Sequence, residues 1–308
     1  MAWWGDKTLA DVRRSTCEAY VAYRMTQPIK SFTKSAPRMV TAQGARRELE
    51  DLSAAIGYWD GEHRLTRLPK VSLPEKPESP RDALTRHQVA RLLKAALGWR
   101  LKTDGTWVRL PGSAAANRRH LRRFILIAVY TGTRPGVIPK LLWHESPAQA
   151  WVDLDDGVIY RRGKDEKDHK TKRRPMVRMP PRLLAHMRRW KAEDEKTKRL
   201  QDDGEHAATK RRAKPAQRAA TVLHHGGRPL AGRIRKGFAN IVHDAGLDGE
   251  ITPHWMRHTC ATWLMERGVK VWDAAAYTGM STATLEKHYG HHRPDHQAKA
   301  REALGGAR

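Results

Sequence analysis

The sequence predicts a mainly α-helical protein with a small antiparallel β-sheet (an α+β class), divided into a small N-terminal unit and a larger C-terminal one. Three observations predict it. Apolar residues recur at helical spacing, as in Leu49, Leu52 and Ile56 and again in Val89, Leu92, Leu93 and Leu97. Two short apolar runs, Trp151-Val152-Asp153-Leu154 and Val158-Ile159-Tyr160, flank Asp155-Asp156-Gly157, a turn that favours a tight hairpin. Pro69, Pro74, Pro77 and Pro80 crowd a short charged stretch and suit neither helix nor central strand, so residues 69–81 read as a linker.

Taken in order, the small unit (1–68) carries a helix after Thr41, with Gly61 as its stop. The Leu49 stripe is its core face. Arg46 and Arg47 lie on the opposite face, where they either meet phosphates or are solvated. The large unit (82–297) opens on Thr85-Arg86-His87-Gln88, a capping-box pattern ahead of the Val89 stripe. A helix over about 117–130 is apolar from Phe124 to Val129 and runs into Thr131-Gly132-Thr133-Arg134. The hairpin follows, and Met176-Val177 reads as a third strand after a basic turn. Residues 191–220 are rich in Lys, Arg, Asp, Glu and Ala and read as a helix extension plus a flexible insert. Helices resume near Ile234, and residues 298–308 form a tail. No internal repeat is evident.

Composition narrows the function. The chain has 308 residues, enough for two domains with real cores. A formal charge of +26 implies a polyanionic partner, nucleic acid first and a membrane surface second. Cys17 and Cys260 are the only cysteines, which argues against a disulfide framework or a Cys-rich zinc site. No apolar run approaches the roughly 18 residues needed to span a bilayer. The N-terminus lacks the apolar region of a signal peptide. A cytoplasmic location, with no membrane partner, is expected.

Two stretches carry the chemistry. One is Tyr130-Thr131-Gly132-Thr133-Arg134-Pro135-Gly136. The other is His254-Trp255-Met256-Arg257-His258-Thr259, followed later by Tyr289. On a helix, His254 and Arg257 lie about 60° apart around the axis and share a face. Arg134 follows a glycine turn that leaves the backbone free to aim it. A guanidinium fork holds two phosphate oxygens at once, so two such forks suit the charge of a pentacoordinate phosphorus. Singly, each arginine among the 59 Lys and Arg reads as a surface or phosphate-positioning residue, and Tyr289 as a packed aromatic. The combination carries the weight.

These motifs resemble those of the tyrosine recombinases of the phage-integrase type. Thr131-Gly132-Thr133-Arg134 with Leu142 and Trp143 resembles the family's first arginine box. The stretch from His254 to Thr262, with Gly268 after it, resembles the second box, and Gly279 to Tyr289 the segment with the nucleophile. The resemblance covers about residues 82–297 and implies a recombinase or type IB topoisomerase-like catalytic domain behind a helical DNA-binding domain. It also implies that Tyr289 attacks the scissile phosphate to form a 3′-phosphotyrosine. Arg134 and Arg257 would clamp the non-bridging oxygens, His254 would assist proton movement at the nucleophile, and a lysine in a β-turn would protonate the leaving 5′-oxygen. That lysine is Lys170 or, as the alternative, Lys172; Lys172 and Arg173 are also candidate DNA contacts. No metal or other cofactor and no ATP are expected, because arginines supply the positive charge. The implied partner is double-stranded DNA at attachment-type sites, with a homo-tetramer formed on it.

The chain departs from the family at two catalytic positions. Met280 occupies the place usually held by histidine or tryptophan, and a thioether cannot donate a hydrogen bond to phosphate. Val137 replaces the acidic residue usually found three after the arginine. In addition, Trp4 to Val12 resembles the middle of the family's core-binding domain, so a first helix is expected upstream of Met1. The histidines and aspartate of residues 291–296 form a local cluster that nothing else completes as a metal site. Two rival readings stand beside the recombinase: a monomeric topoisomerase, and an impaired prophage-remnant integrase that only binds DNA.

Overall fold

The computed structural model of the chain describes residues 3–29, 38–76, 83–168, 173–205, 220–225, 228–230 and 234–305. It is mostly helical with small antiparallel sheets, as the sequence predicts. The chain divides into two compact units, Met1–Pro80 and Arg81–Arg308.

In the first unit, helix α1 (Arg14–Met25) packs on α2 (Ala42–His63). Thr41 caps α2 by accepting a hydrogen bond from the Gly44 amide at 3.2 Å. The expected stripe holds its place, with Leu49 and Ile56 buried beside Val12, Cys17 and Tyr20, and Leu52 half-buried. Gly61 does not end the helix. The chain continues to His63 and leaves through Arg64 in the left-handed region (φ 42°), with the Asp60 carboxylate receiving the Leu65 amide at 2.8 Å. A glycine inside a helix costs only about 1 kcal/mol.

The second unit starts as the sequence reads. In α3 (Arg86–Ala96), Thr85 and Gln88 form the reciprocal capping box, at 3.2 and 2.8 Å. Strands β1 (Trp99–Leu101) and β2 (Trp107–Arg109) make a hairpin that the sequence reading did not foresee. Lys94 Nζ over the Trp107 ring, 4.5 Å from its centroid, secures that hairpin to α3. Helix α4 (Gly112–Thr131) begins five residues before the predicted start and is the central element, packed on α3 and on the later helices. Strands β3 (Trp151–Asp153), β4 (Val158–Tyr160) and β5 (Val177–Arg178) form the predicted three-stranded antiparallel sheet. Helix α5 (Pro181–Glu205) contains the expected extension, and the insert beyond residue 205 lies outside the described residues. A small hairpin, β6 (His224–His225) and β7 (Arg228–Pro229), precedes helices α6 (Arg235–Asp244), α7 (Trp255–Glu266), α8 (Val271–Thr278), α9 (Thr282–Tyr289) and α10 (Ala298–Gly305).

The core of this unit contains an ion pair. Arg123 of α4 (1% exposed) donates through both terminal nitrogens to the Asp194 carboxylate of α5, each at 2.7 Å. His224 Nε2 and Trp143 Nε1 lie 3.0 and 3.2 Å from the same carboxylate. Burial pushes the Asp194 carboxyl up, but the hydrogen bonds from His224 and Arg123 outweigh it and hold it below the ordinary range.

Nearby, His120 meets His225 edge-on, 5.9 Å between ring centroids. Burial, then the neighbouring His225 and His224, hold its imidazole down at about 4. The folded state therefore keeps His120 neutral at pH values where the unfolded chain protonates it. Its contribution to stability is present above the ordinary histidine range and is lost as pH falls from about 6.5 towards 4. The denaturation midpoint is expected to drop between pH 7 and pH 5, and to drop less in His120→Gln; equal drops would remove His120 as a cause.

Candidate active site

Two glycine turns build the site. Helix α4 stops because Gly132 takes a left-handed conformation (φ 63°), where a side chain is strained. A Cβ there would also press within 3.3 Å of Cys260 Sγ and Thr278 Cγ2. Gly279 ends α8 in the same way (φ 68°), and a Cβ on it would sit 2.8 Å from Pro175 Cδ. The ends of α4 and α8 are thus brought against α7 and the exit of the basic turn.

Two arginines use carbonyls at these helix ends, and a third uses one at the exit of the basic turn. Arg257, in the first turn of α7, is 4% exposed; its Nη1 donates to the Gly132 carbonyl and, at 2.6 Å, to the Thr278 carbonyl. Arg134 is half-buried and donates to the Arg173 carbonyl at 2.6 Å. That backbone contact holds it where the acidic residue is replaced by Val137, which packs on the core. Arg161, just after β4, is buried and reaches the Thr133 hydroxyl at 2.9 Å, the Tyr277 carbonyl at 2.8 Å and the Thr131 carbonyl.

Burial pushes the Arg257 guanidinium down to about 9, and the charges of Arg134 and Arg161 push the same way. Burial likewise lowers Arg161 to about 10, with Arg134 adding to it. Arg134 is lowered by burial and then by Arg174, against the opposing charge of Asp168. An arginine keeps its proton in practice, so the displacement reflects three cations gathered out of water. An anion placed among them relieves both causes.

Tyr289 is the last residue of α9, whose start is capped by Ser281 accepting from the Thr284 amide at 3.1 Å. It is fully buried in a small cluster with Ala261, Met265, Ala274 and Leu285. Met280 packs against that same cluster, so the family's usual polar position is filled by an apolar contact. The Tyr289 hydroxyl is in hydrogen-bond contact with Nδ1 of His258 on α7. His254 precedes α7 and is exposed, and its ring meets His258 edge-on at 5.2 Å and 67°. The hydroxyl also acts electrostatically on Arg257.

The structure thus gathers Arg134, Arg257, Tyr289 and Met280, with His254 one ring contact away. Sequence reasoning passed over His258 and Arg161. His258 had a visible signal, since it stands one helical turn after His254 inside the second box. Arg161 had none, because its partners, Thr133 and Tyr277, are 28 and 116 positions away. Lys170 and Lys172 lie outside the described residues, but both flanks of their turn reach Arg134, through the Arg173 carbonyl and the Asp168 charge. Arg173 itself is exposed. In the first unit, Arg47 is exposed, whereas Arg46 is tied to Glu50 at 2.9 Å and to the Pro74 carbonyl. Among the described residues there is no group of three or more His, Cys, Asp or Glu placed to hold a metal ion, and no helix is long and apolar enough to cross a membrane.

The family model described as "Phage integrase family" matches residues 83–296. Tyrosine recombinase XerC of Chlamydia caviae is 27% identical over 174 residues, covering 54% of this chain and 49% of that protein. The chain therefore spans about half the length of that curated relative. Among solved structures, the Tn1549 transposon integrase in complex with circular intermediate DNA superposes with a TM-score of 0.62 at 15% identity, over 97% of this chain and 87% of that one. The XerH site-specific recombinase bound to palindromic difH substrate gives 0.56 at 14% identity, over 94% and 71%. At these identities the structural likeness establishes the fold.

Proposed function

The chain belongs to the phage integrase family, and on that premise we propose that it is a site-specific recombinase, which cuts and rejoins duplex DNA through a 3′-phosphotyrosine. The observation that carries this reading is the grouping of three mutually repelling guanidiniums with a histidine-bonded tyrosine hydroxyl. Arg134 and Arg257 bind the non-bridging oxygens, and each well-aimed donor is worth roughly 2.7–4 kcal/mol in the transition state. Tyr289 attacks phosphorus, His254 assists proton movement at the nucleophile, and Lys170 (or Lys172) protonates the departing 5′-oxygen. The phosphotyrosine conserves the bond energy, so religation to another strand needs no ATP.

Residues 82–297 form the catalytic domain in this reading. Residues 1–68 form a helical DNA-binding unit, joined to it by the linker 69–81 and contacting phosphates through Arg46 and Arg47. The charge of +26 fits an affinity that falls steeply with salt. The partner is double-stranded DNA carrying attachment-type sites, on which the protein pairs into a homo-tetramer in the cytoplasm. Support for DNA comes from two of the similar structures, one in complex with circular intermediate DNA and one bound to palindromic difH substrate.

The test is a nicked suicide duplex carrying the ends of the protein's own element. A covalent protein–DNA adduct is expected on a denaturing gel, and Tyr289→Phe is expected to abolish it while binding persists. Salt-sensitive, site-specific binding with no adduct at any protein concentration would overturn the recombinase reading.

A further inference from the structure

We infer that His258 is the base that takes the proton from Tyr289, a role that rests on the phosphotyrosine reading above. A phenol ionises near pH 10 and is a poor nucleophile at neutrality, so a partner must accept its proton as the bond to phosphorus forms. Tyr289 is fully buried, which shields its ring from bulk water, and its hydroxyl is in hydrogen-bond contact with His258 Nδ1. For Nδ1 to accept, it must be bare, with the ring proton on Nε2. The two rings lie within 27° of parallel, 6.1 Å apart, so the contact runs from the hydroxyl to the edge of the imidazole.

Position supports the role. His258 follows Arg257 on α7, so the proton acceptor and the guanidinium that meets the phosphate are consecutive residues on one rigid helix. Met280, at the place where the family usually carries histidine or tryptophan, lies in the same cluster and offers no base. His254 supports the His258 ring from one turn earlier, so its assistance passes through His258.

In the step, a lone pair of Tyr289 Oη forms the bond to phosphorus. The O–H electron pair stays on Oη and the proton moves to His258 Nδ1. The P–O5′ pair leaves with the 5′-oxygen, which is protonated by the turn lysine. In religation the 5′-hydroxyl gives its proton to the turn lysine as its oxygen bonds to phosphorus, the P–Oη pair leaves with Oη, and His258 returns its proton to Oη.

The experiment measures adduct formation from the suicide duplex by the full chain, beside DNA binding. His258→Ala and His258→Asn are expected to slow it by about 100-fold, a common worth of one general base, with binding unchanged. Asparagine keeps a hydrogen-bonding group near Nδ1 but cannot take the proton. Site-specific replacement of residue 289 by 3-fluorotyrosine, whose phenol ionises more readily, is expected to restore about tenfold in His258→Ala and to change the parent little. A parent-like rate in either His258 variant, or no gain from the fluorinated ring, overturns the inference while leaving the recombinase reading intact. Absence of adduct from the parent as well overturns both.

Discussion

Arg257→Ala is expected to lower the rate of adduct formation by roughly 10³-fold or more, while the variant still binds duplex DNA. Removing a single preorganised donor from a site of developing charge costs about 10²–10³ in rate, and Arg257 presents a fork of several. The guanidinium also ties the Gly132 carbonyl at the end of α4 to the Thr278 and Gly279 carbonyls at the end of α8. Losing it both removes charge at the phosphate and loosens the turn that presents Arg134. Arg257→Lys separates the two effects. It restores a positive charge but not a planar fork able to serve carbonyls and phosphate together, so it is expected to remain at least about tenfold below the parent. Rapid-quench kinetics with circular dichroism as the folding control measures this. A near-parent rate for Arg257→Ala would move the phosphate clamp to Arg134 and Arg161.

The largest effect on stability is expected from Asp194→Ala. Arg123 and Asp194 are both nearly inaccessible to water, and the pair joins α4 to α5. The variant leaves the guanidinium buried over the Trp190 ring, retaining the Val222 carbonyl at 2.9 Å but no adjoining Asp194 charge. It also takes an acceptor from Trp143 and His224. Breaking a buried pair from one side typically costs about 3–5 kcal/mol, whereas replacing both partners with apolar groups is often neutral. Asp194→Ala should therefore shift urea unfolding, followed by tryptophan fluorescence, by about that much. Arg123→Met with Asp194→Leu should recover most of it. A loss under about 1 kcal/mol for the single variant would mean that water reaches the site.

Much of this was legible in the chain. The α3 capping box, the Asp-Asp-Gly hairpin and the α2 stripe are local patterns whose physics is complete within a dozen residues. Arg134, Arg257 and Tyr289 stood out because their motifs are contiguous. The β1–β2 hairpin escaped because its strands are three residues long and depend on packing against α3. The Arg123–Asp194 pair escaped because its partners are 71 positions apart. Met280 was recognised as an unusual residue, but its packing in the tyrosine's apolar cluster was not.

By itself, the sequence carried the class of fold, a charge of +26 that implies a polyanionic partner, and the motifs whose resemblance to a known family singles out Arg134, His254, Arg257 and Tyr289 as candidates. The first two follow from composition and short-range order, and the third from contiguous motifs. Only the tertiary structure decided which histidine meets the Tyr289 hydroxyl, that a third guanidinium joins the first two, and that backbone carbonyls hold Arg134 and Arg257. The physical reason is that each of these hydrogen bonds joins residues 21 to 125 positions apart, and the third guanidinium is felt only as a charge beside its neighbours' charges. Such distances are set by where the ends of α4, α7 and α8 meet, and no local pattern in the chain carries that information.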